Sequence, residues 1–233
     1  MAIILETANL KKNFLAKPAL RGITMKLESG RILGLMGPNG SGKTTFLKIV
    51  AGLQKPSAGN FTVCGMPCGY ETKKLVSFLP DRNTLYPWMK AIDAIDFYAD
   101  FFADFDRAKA LDMLAFMKLD QGERVKTMSK GMKEKMDLVL AFSRRAKLFL
   151  LDEPLGGVDP VSRERIVSTI IKTWTEDSAI IISTHLVNDV ERLFNDVAFL
   201  DSGEIILSGD AETLRGERGK SIDQLYLEVF ENR

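Results

Sequence analysis

The stretch Gly37-Pro38-Asn39-Gly40-Ser41-Gly42-Lys43-Thr44 decides how the rest of the chain is read. It matches G-x-x-x-x-G-K-[ST]. Before it lies the buried-strand pattern of residues 32–36, and after it a helical pattern in which Phe46, Ile49, Val50 and Leu53 share one face. In that context each residue type has a task. Gly37, Gly40 and Gly42, with Pro38, Asn39 and Ser41 between them, let consecutive backbone N–H groups turn inward as an anion nest. The helix start adds the positive end of its dipole. The Lys43 ammonium reaches terminal phosphates, the Thr44 hydroxyl can ligate Mg²⁺, and Thr45 completes the phosphate-binding set.

Working outward, residues 76–79, 148–151 and 180–183 are further short apolar runs, rich in branched side chains and bounded by turn or polar residues. A second helical pattern keeps Ile166, Ile170 and Trp174 on one face, with Asp159 as N-cap and Pro160 in the first helical position. Near-continuous apolar strands separated by helices predict a mainly parallel sheet covered on both faces, with ligands bound beyond the carboxyl ends of the strands. The residues just past the strand ends are chemically active types: Gly37, then Asp81, then Asp152 and Glu153, then His185, the only histidine. Asp152 can join a Mg²⁺ shell, and Glu153 can polarise a water toward a γ-phosphate.

Residues 86–142 differ, with Phe97, Phe101 and Phe105, then Leu111, Leu114 and Met117, at helical spacing. They read as an inserted helical subdomain with the aromatic stripe as its packed core. Residues up to 27 alternate in short runs and predict an antiparallel sheet beside the main one. Residues 197–207 read as a hairpin turning at Asp201-Ser202-Gly203.

Composition narrows the partners. At 233 residues the chain suits one functional unit, and 32 Lys+Arg against 31 Asp+Glu leave a net charge of +1. That balance gives no global argument for nucleic acid or an anionic membrane surface. Cys64 and Cys68 with a single histidine cannot fill a four-ligand zinc site, so both are expected as reduced thiols. No apolar run approaches the ~18 to 20 residues that span a bilayer, and MAIILETANL carries no basic flank or cleavage signal, so a cytoplasmic location is expected.

GPNGSGKT, MSKGM, LFLLDEP, GGVDP and STH, in this order and spacing, together resemble the ATP-binding cassette of ABC transporters. The likeness covers nearly the whole chain, from Phe14 in KKNF to the hairpin after His185. FYADFFADFD and SKGMKEKM are similar to single-cassette ATPase subunits of bacterial exporters, often linked to drug or peptide resistance. The resemblance implies an α/β fold with a P-loop NTPase core, a mainly parallel sheet, an N-terminal antiparallel β subdomain and an inserted helical subdomain. One ABC-type domain over 1–233 is expected, its core about 1–85 and 143–233 and its helical part about 86–142. The same resemblance implies ATP and Mg²⁺ as cofactors and two cassettes sandwiching two ATP molecules. Phe14 would stack on adenine; Lys43, Thr44, Asp152, Glu153 and His185 would act in cis, and Ser129, Lys130, Gly131 and Asp159 across the interface. It further implies an integral membrane permease as partner, and a place on the inner face of the cell membrane.

Two positions depart from the family pattern. Asp81 stands where glutamine is usual: it is either a metal ligand in that residue's place or simply the start of a turn. An ionised aspartate accepts hydrogen bonds but cannot donate them. The signature reads Met-Ser-Lys-Gly-Met where Leu-Ser-Gly-Gly-Gln is common. Lys130 is open between a γ-phosphate contact and solvent, whereas Lys133 and Lys135 are expected to point to solvent. Two alternatives compete with the transporter subunit: a soluble cassette protein acting on ribosomes or DNA, and a nucleotide switch that no longer hydrolyses.

Overall fold

Residues 3–28 alternate apolar and polar side chains and form two half-buried strands, β1 (Ile3–Phe14) and β2 (Lys17–Glu28), paired antiparallel. Next in chain order are β3 (Ile32–Met36), α1 (Lys43–Val50), β4 (Ala58–Val63), β5 (Met66–Pro67), α2 (Tyr70–Leu75) and β6 (Val76–Leu79). Three helices come after them, α3 (Ala91–Phe101), α4 (Arg107–Phe116) and α5 (Lys130–Phe142). They precede β7 (Leu148–Asp152), α6 (Pro160–Thr173), β8 (Ala179–Thr184) and the single turn α7 (Val187–Val190). A hairpin of β9 (Asp196–Asp201) and β10 (Glu204–Asp210) leads to α8 (Ala211–Arg218) and α9 (Ile222–Glu231). The computed structural model describes residues 2–15, 17–82, 84–156 and 158–231.

The main sheet has the order β10-β9-β3-β8-β7-β6, parallel from β9 to β6 with β10 antiparallel at the edge. β3, β7 and β8 are buried at every position, because helices or the second sheet cover both faces. Leu33, Leu35, Leu148, Leu150 and Ile181 pack with Phe46, Leu47, Ile49 and Val50 of α1 and with the antiparallel sheet. Ile32, Met36, Phe149, Leu151, Ile180 and Ile182 join the core of α3 to α6. Each such burial contributes roughly 1.5 to 3 kcal/mol. The second sheet runs β2-β1-β4-β5, so it draws β4 and β5 from beyond α1 rather than ending near residue 27.

Three expectations need correction. The aromatic stripe is only in part the subdomain core: Phe105 packs against it, but Phe101 is 71% exposed and Phe97 39%, while Ala91, Ala94 and Ile95 form the buried face of α3. Small alanines let α4 and α5 approach α3 closely, and the Phe97 and Phe101 rings pack on each other at 4.5 Å instead. Leu53 is exposed because α1 stops at Val50 and Gly52 turns the chain at φ 70°. Lys135 is buried, not solvated; on the inner side of α5, its charge acts on Asp159.

Candidate active site

β3 delivers the glycine-rich loop to the carboxyl edge of the sheet, and two glycines there are fixed by space. A Cβ on Gly37 would lie 2.1 Å from the Leu200 carbonyl oxygen. Gly42 sits at φ 114° as N-cap of α1, where a Cβ would lie 2.7 Å from the Ala19 carbonyl oxygen. Lys43, the first residue of α1, is 6% exposed. Its Nζ donates to the carbonyl oxygens of Gly37 at 2.7 Å and Pro38 at 3.3 Å, and lies 3.5 Å from Glu153 Oε1. Burial pulls the Lys43 ammonium below the usual lysine range, against the opposing pull of Glu153.

Asp152 ends β7 with no exposed surface. Its Oδ1 accepts from Thr44 Oγ1 at 3.1 Å and from Ser183 Oγ at 2.6 Å, whereas Oδ2 is buried without a hydrogen-bond partner among the described residues. Burial pushes this carboxyl above the usual aspartate range, and the nearby Asp81 and Glu153 add to the push. Glu153 turns out of the strand at φ 51°, a left-handed conformation that costs a non-glycine residue about 1 kcal/mol or more. It is held there by β8: its N–H donates to the Ser183 carbonyl at 3.0 Å and Ser183 Oγ at 3.2 Å. Glu153 Oε2 meets the His185 backbone N–H at 3.3 Å and its Nδ1 at 2.9 Å. Asn39, Gly40, Gly42, Lys43, Thr44, Thr45, Asp81 and Glu153 line one cavity of about 240 Å³.

The fold therefore brings the loop, Asp81, Asp152, Glu153 and His185 together from four strand ends. Ser183 belongs with them, although its place in the sequence marks it only as part of a strand. The available signal was a serine near the end of an otherwise apolar buried run. Ser41 is 3% exposed within the loop. Phe14 does not line this cavity: it ends β1 half exposed, with Lys12 Nζ 5.0 Å from its ring centre.

A second cluster forms at the start of α5. Ser129 caps the helix by accepting from the Met132 N–H at 3.3 Å, and Asp159 caps α6 by accepting from Ser162 N–H at 3.0 Å. A Cβ on Gly131 would lie 3.7 Å from Asp159 Oδ2, an ordinary contact, so no close contact among the described residues demands glycine there. Lys130 lines a separate cavity with Asp81, Arg82, Glu134 and Glu153. Glu134, unremarked in the sequence, is the carboxyl that Lys130 meets.

Residues 20–156 match the family model described as ABC transporter. The chain belongs to the ABC transporter family. It is an ATP-binding subunit of that family and an ATPase. The linearmycin resistance ATP-binding protein LnrL of Bacillus subtilis (strain 168) is 30% identical over 224 residues, which cover 93% of this chain and 72% of LnrL. A solved ATP-binding subunit of an ABC transporter is 26% identical, with a TM-score of 0.87 over 97% of this chain and 99% of that one. The ABC cassette MJ0796, solved as a dimer with ADP and Pi in a post-hydrolysis state, shares the fold at 19% identity. Its TM-score is 0.80 over 89% of this chain and 98% of that one. Among the described residues no helix of this ABC subunit is long and apolar enough to cross a membrane, and no group of histidine, cysteine and acidic side chains could hold a metal ion on its own.

Proposed function

We propose that this ABC subunit powers export through a separate integral membrane permease, by pairing with a second cassette around two ATP molecules and hydrolysing them. One observation carries the reading: Lys43 and His185 converge on the same Glu153 carboxylate, at 3.5 Å and 2.9 Å. Glu153 then takes a proton from the attacking water, while His185 holds it in place. Phosphate oxygens compete with the Gly37 and Pro38 carbonyls for the Lys43 ammonium, and the loop N–H groups receive the remaining charge.

Mg²⁺ fits the donors present. The buried, unpartnered Asp152 Oδ2 beside the Thr44 hydroxyl offers hard oxygen ligands, and Asp81 opens into the adjoining cavity as a further one. Bound there, the ion would neutralise phosphate charge. Ser129, Lys130, Gly131 and Asp159 are assigned to the partner cassette's nucleotide, and Phe14 to adenine stacking.

The cassette is taken as one domain over 1–233, with core segments of about 1–85 and 143–233 and a helical subdomain of about 86–142. The permease is assigned to the helical part and to the segment around Tyr86, Pro87 and Trp88. Tyr86 and Trp88 are more than half exposed and stacked at 5.7 Å. We assign the subunit, through that permease, to the inner face of the membrane, and a net charge of +1 offers no global argument for nucleic acid as a partner. The resistance role in LnrL's name supports export. Purifying the tagged chain from membranes should bring an integral membrane protein with it. Recovery only in soluble ribosomal fractions would overturn the reading.

A further inference from the structure

Glu134 lies one helical turn beyond Lys130 on α5, and its side chain is 21% exposed. Its Oε1 is 3.8 Å from Lys130 Nζ, and its Oε2 is buried with no hydrogen-bond partner among the described residues. A carboxylate in that place is poorly compensated, since the cation it pairs with among the described residues, Lys130, is beyond hydrogen-bonding distance and 67% exposed. The other charged groups lining the shared cavity are Lys133 and Asp137 of α5, Asp81 and Arg82 of the loop after β6, and Glu153 at the end of β7. Burial lifts the Glu134 carboxyl from the ordinary 4.5 to about 7, with Lys130 opposing the rise. Two arrangements are therefore close in free energy at neutral pH. In one, the carboxylate draws the ammonium along the helix; in the other, a neutral acid leaves the ammonium free.

We propose that Glu134 is a positioning residue for Lys130, holding its ammonium against α5 in the lone cassette and releasing it toward the partner cassette's ATP on pairing. Release leaves Glu134 without its cation, so where the carboxyl is still ionised it takes up to one proton from solvent per cassette and no other bond changes. The inference rests on the reading that Ser129, Lys130 and Gly131 meet the partner's nucleotide. Gly131 agrees with it, because its missing side chain answers to no close contact among the described residues. A serine cap, a freed ammonium and an unobstructed glycine at the positive end of α5 together suit a terminal phosphate.

The pH dependence has a definite sign. Pairing raises the Glu134 pKa above its value in the lone cassette, so pairing binds protons. Affinity is flat below about pH 7 and weakens as pH rises beyond it. The test uses full-length chain carrying Glu153→Gln, so that ATP is bound and not consumed, with dimer dissociation measured by sedimentation at about pH 6.5 and about pH 8.5. The parent is expected to weaken about tenfold across that interval. Adding Glu134→Gln should keep the tighter affinity at both values, and adding Lys130→Ala should abolish the slope. Titration calorimetry in two buffers of different ionisation enthalpy should show proton uptake that Glu134→Gln removes. A slope that survives Glu134→Gln, or a parent with no slope, overturns the role of Glu134 and leaves cassette pairing standing. No ATP-dependent dimer at either pH overturns the pairing reading itself, and this inference with it.

Discussion

Lys43 and Asp152 are 6% and 0% exposed, whereas Ser129 is exposed and the Lys130 side chain is 67% exposed. The first pair sits where parallel strands end side by side; hydrogen bonds from Thr44 and Ser183 fix Asp152, and those to the Gly37 and Pro38 carbonyls fix Lys43. The second pair stands on a helix start whose side chains, among the described residues, are held by a serine cap and a long ion pair. One region is preorganised for chemistry, since groups locked in a dry site lose little by reorganising. The other is arranged for an encounter, with its donors turned to solvent. The difference predicts where a substitution will act: on turnover at the sheet edge, on association for the exposed groups of the helix start.

Glu153→Gln should have the largest effect. It keeps the side-chain size but removes the base, so steady-state hydrolysis should fall by about 100-fold or more while ATP binding persists. Wild-type-like turnover in this variant, measured by phosphate release, would take Glu153 out of that role and remove the contrast between the two regions. Glu134→Gln is the next sharpest probe, because it tests burial at the encounter region through folding rather than activity. The native carboxyl has its pKa raised to about 7, above the unfolded value, so it costs stability as pH rises from 4.5 toward 7 and costs nothing below that window. Denaturant melts should show Glu134→Gln more stable than the parent by about 3 kcal/mol at alkaline pH and equal to it in acid. Equal stability at both would mean that Glu134 is better solvated than its buried Oε2 indicates.

Ser183→Ala separates positioning from chemistry. It removes the hydroxyl that donates to Asp152 at 2.6 Å and faces the Glu153 N–H at 3.2 Å. At about 1 kcal/mol per hydrogen bond, turnover should drop about tenfold, and losing a bond that holds the Asp152 carboxyl down should move the acid side of the pH profile upward, as a progress-curve assay would read. No loss would show that the strand backbone alone holds the acidic pair.

Much of the main sheet could be read from the chain because its inner strands are nearly all apolar: short apolar runs mark Ile32–Met36 and Val76–Leu79. The phosphate loop was equally plain, since its glycines obey a local spacing rule that tertiary context does not alter. The surface of α3 was not. Its phenylalanines have helical spacing, but which face is buried depends on α4 and α5, and the alanines won because close approach needs small side chains. β4 escaped because only its last residues alternate, and its partner β1 lies some fifty residues earlier. Ser183 and Glu134 escaped for a shared reason: their importance lies in a long-range contact or in burial, and neither leaves a spacing in the sequence.

Asp81→Gln should have the smallest effect, and it probes the boundary between the two regions. Asp81 is exposed and lines both the phosphate-loop cavity and the cavity of Lys130 and Glu134. Its charge adds to the push that raises the Asp152 carboxyl, so a neutral amide eases ionisation of the buried aspartate while removing one acceptor from the edge. The two changes oppose each other, and hydrolysis should stay within about threefold of the parent, or ~0.65 kcal/mol of barrier. Measured against Mg²⁺ concentration, the variant should need slightly more metal if Asp81 is a ligand and the same amount if it only starts a turn. A folded variant with no ATPase activity at any Mg²⁺ concentration would show that the acidic group is required, and would move Asp81 from the margin into the preorganised half of the site.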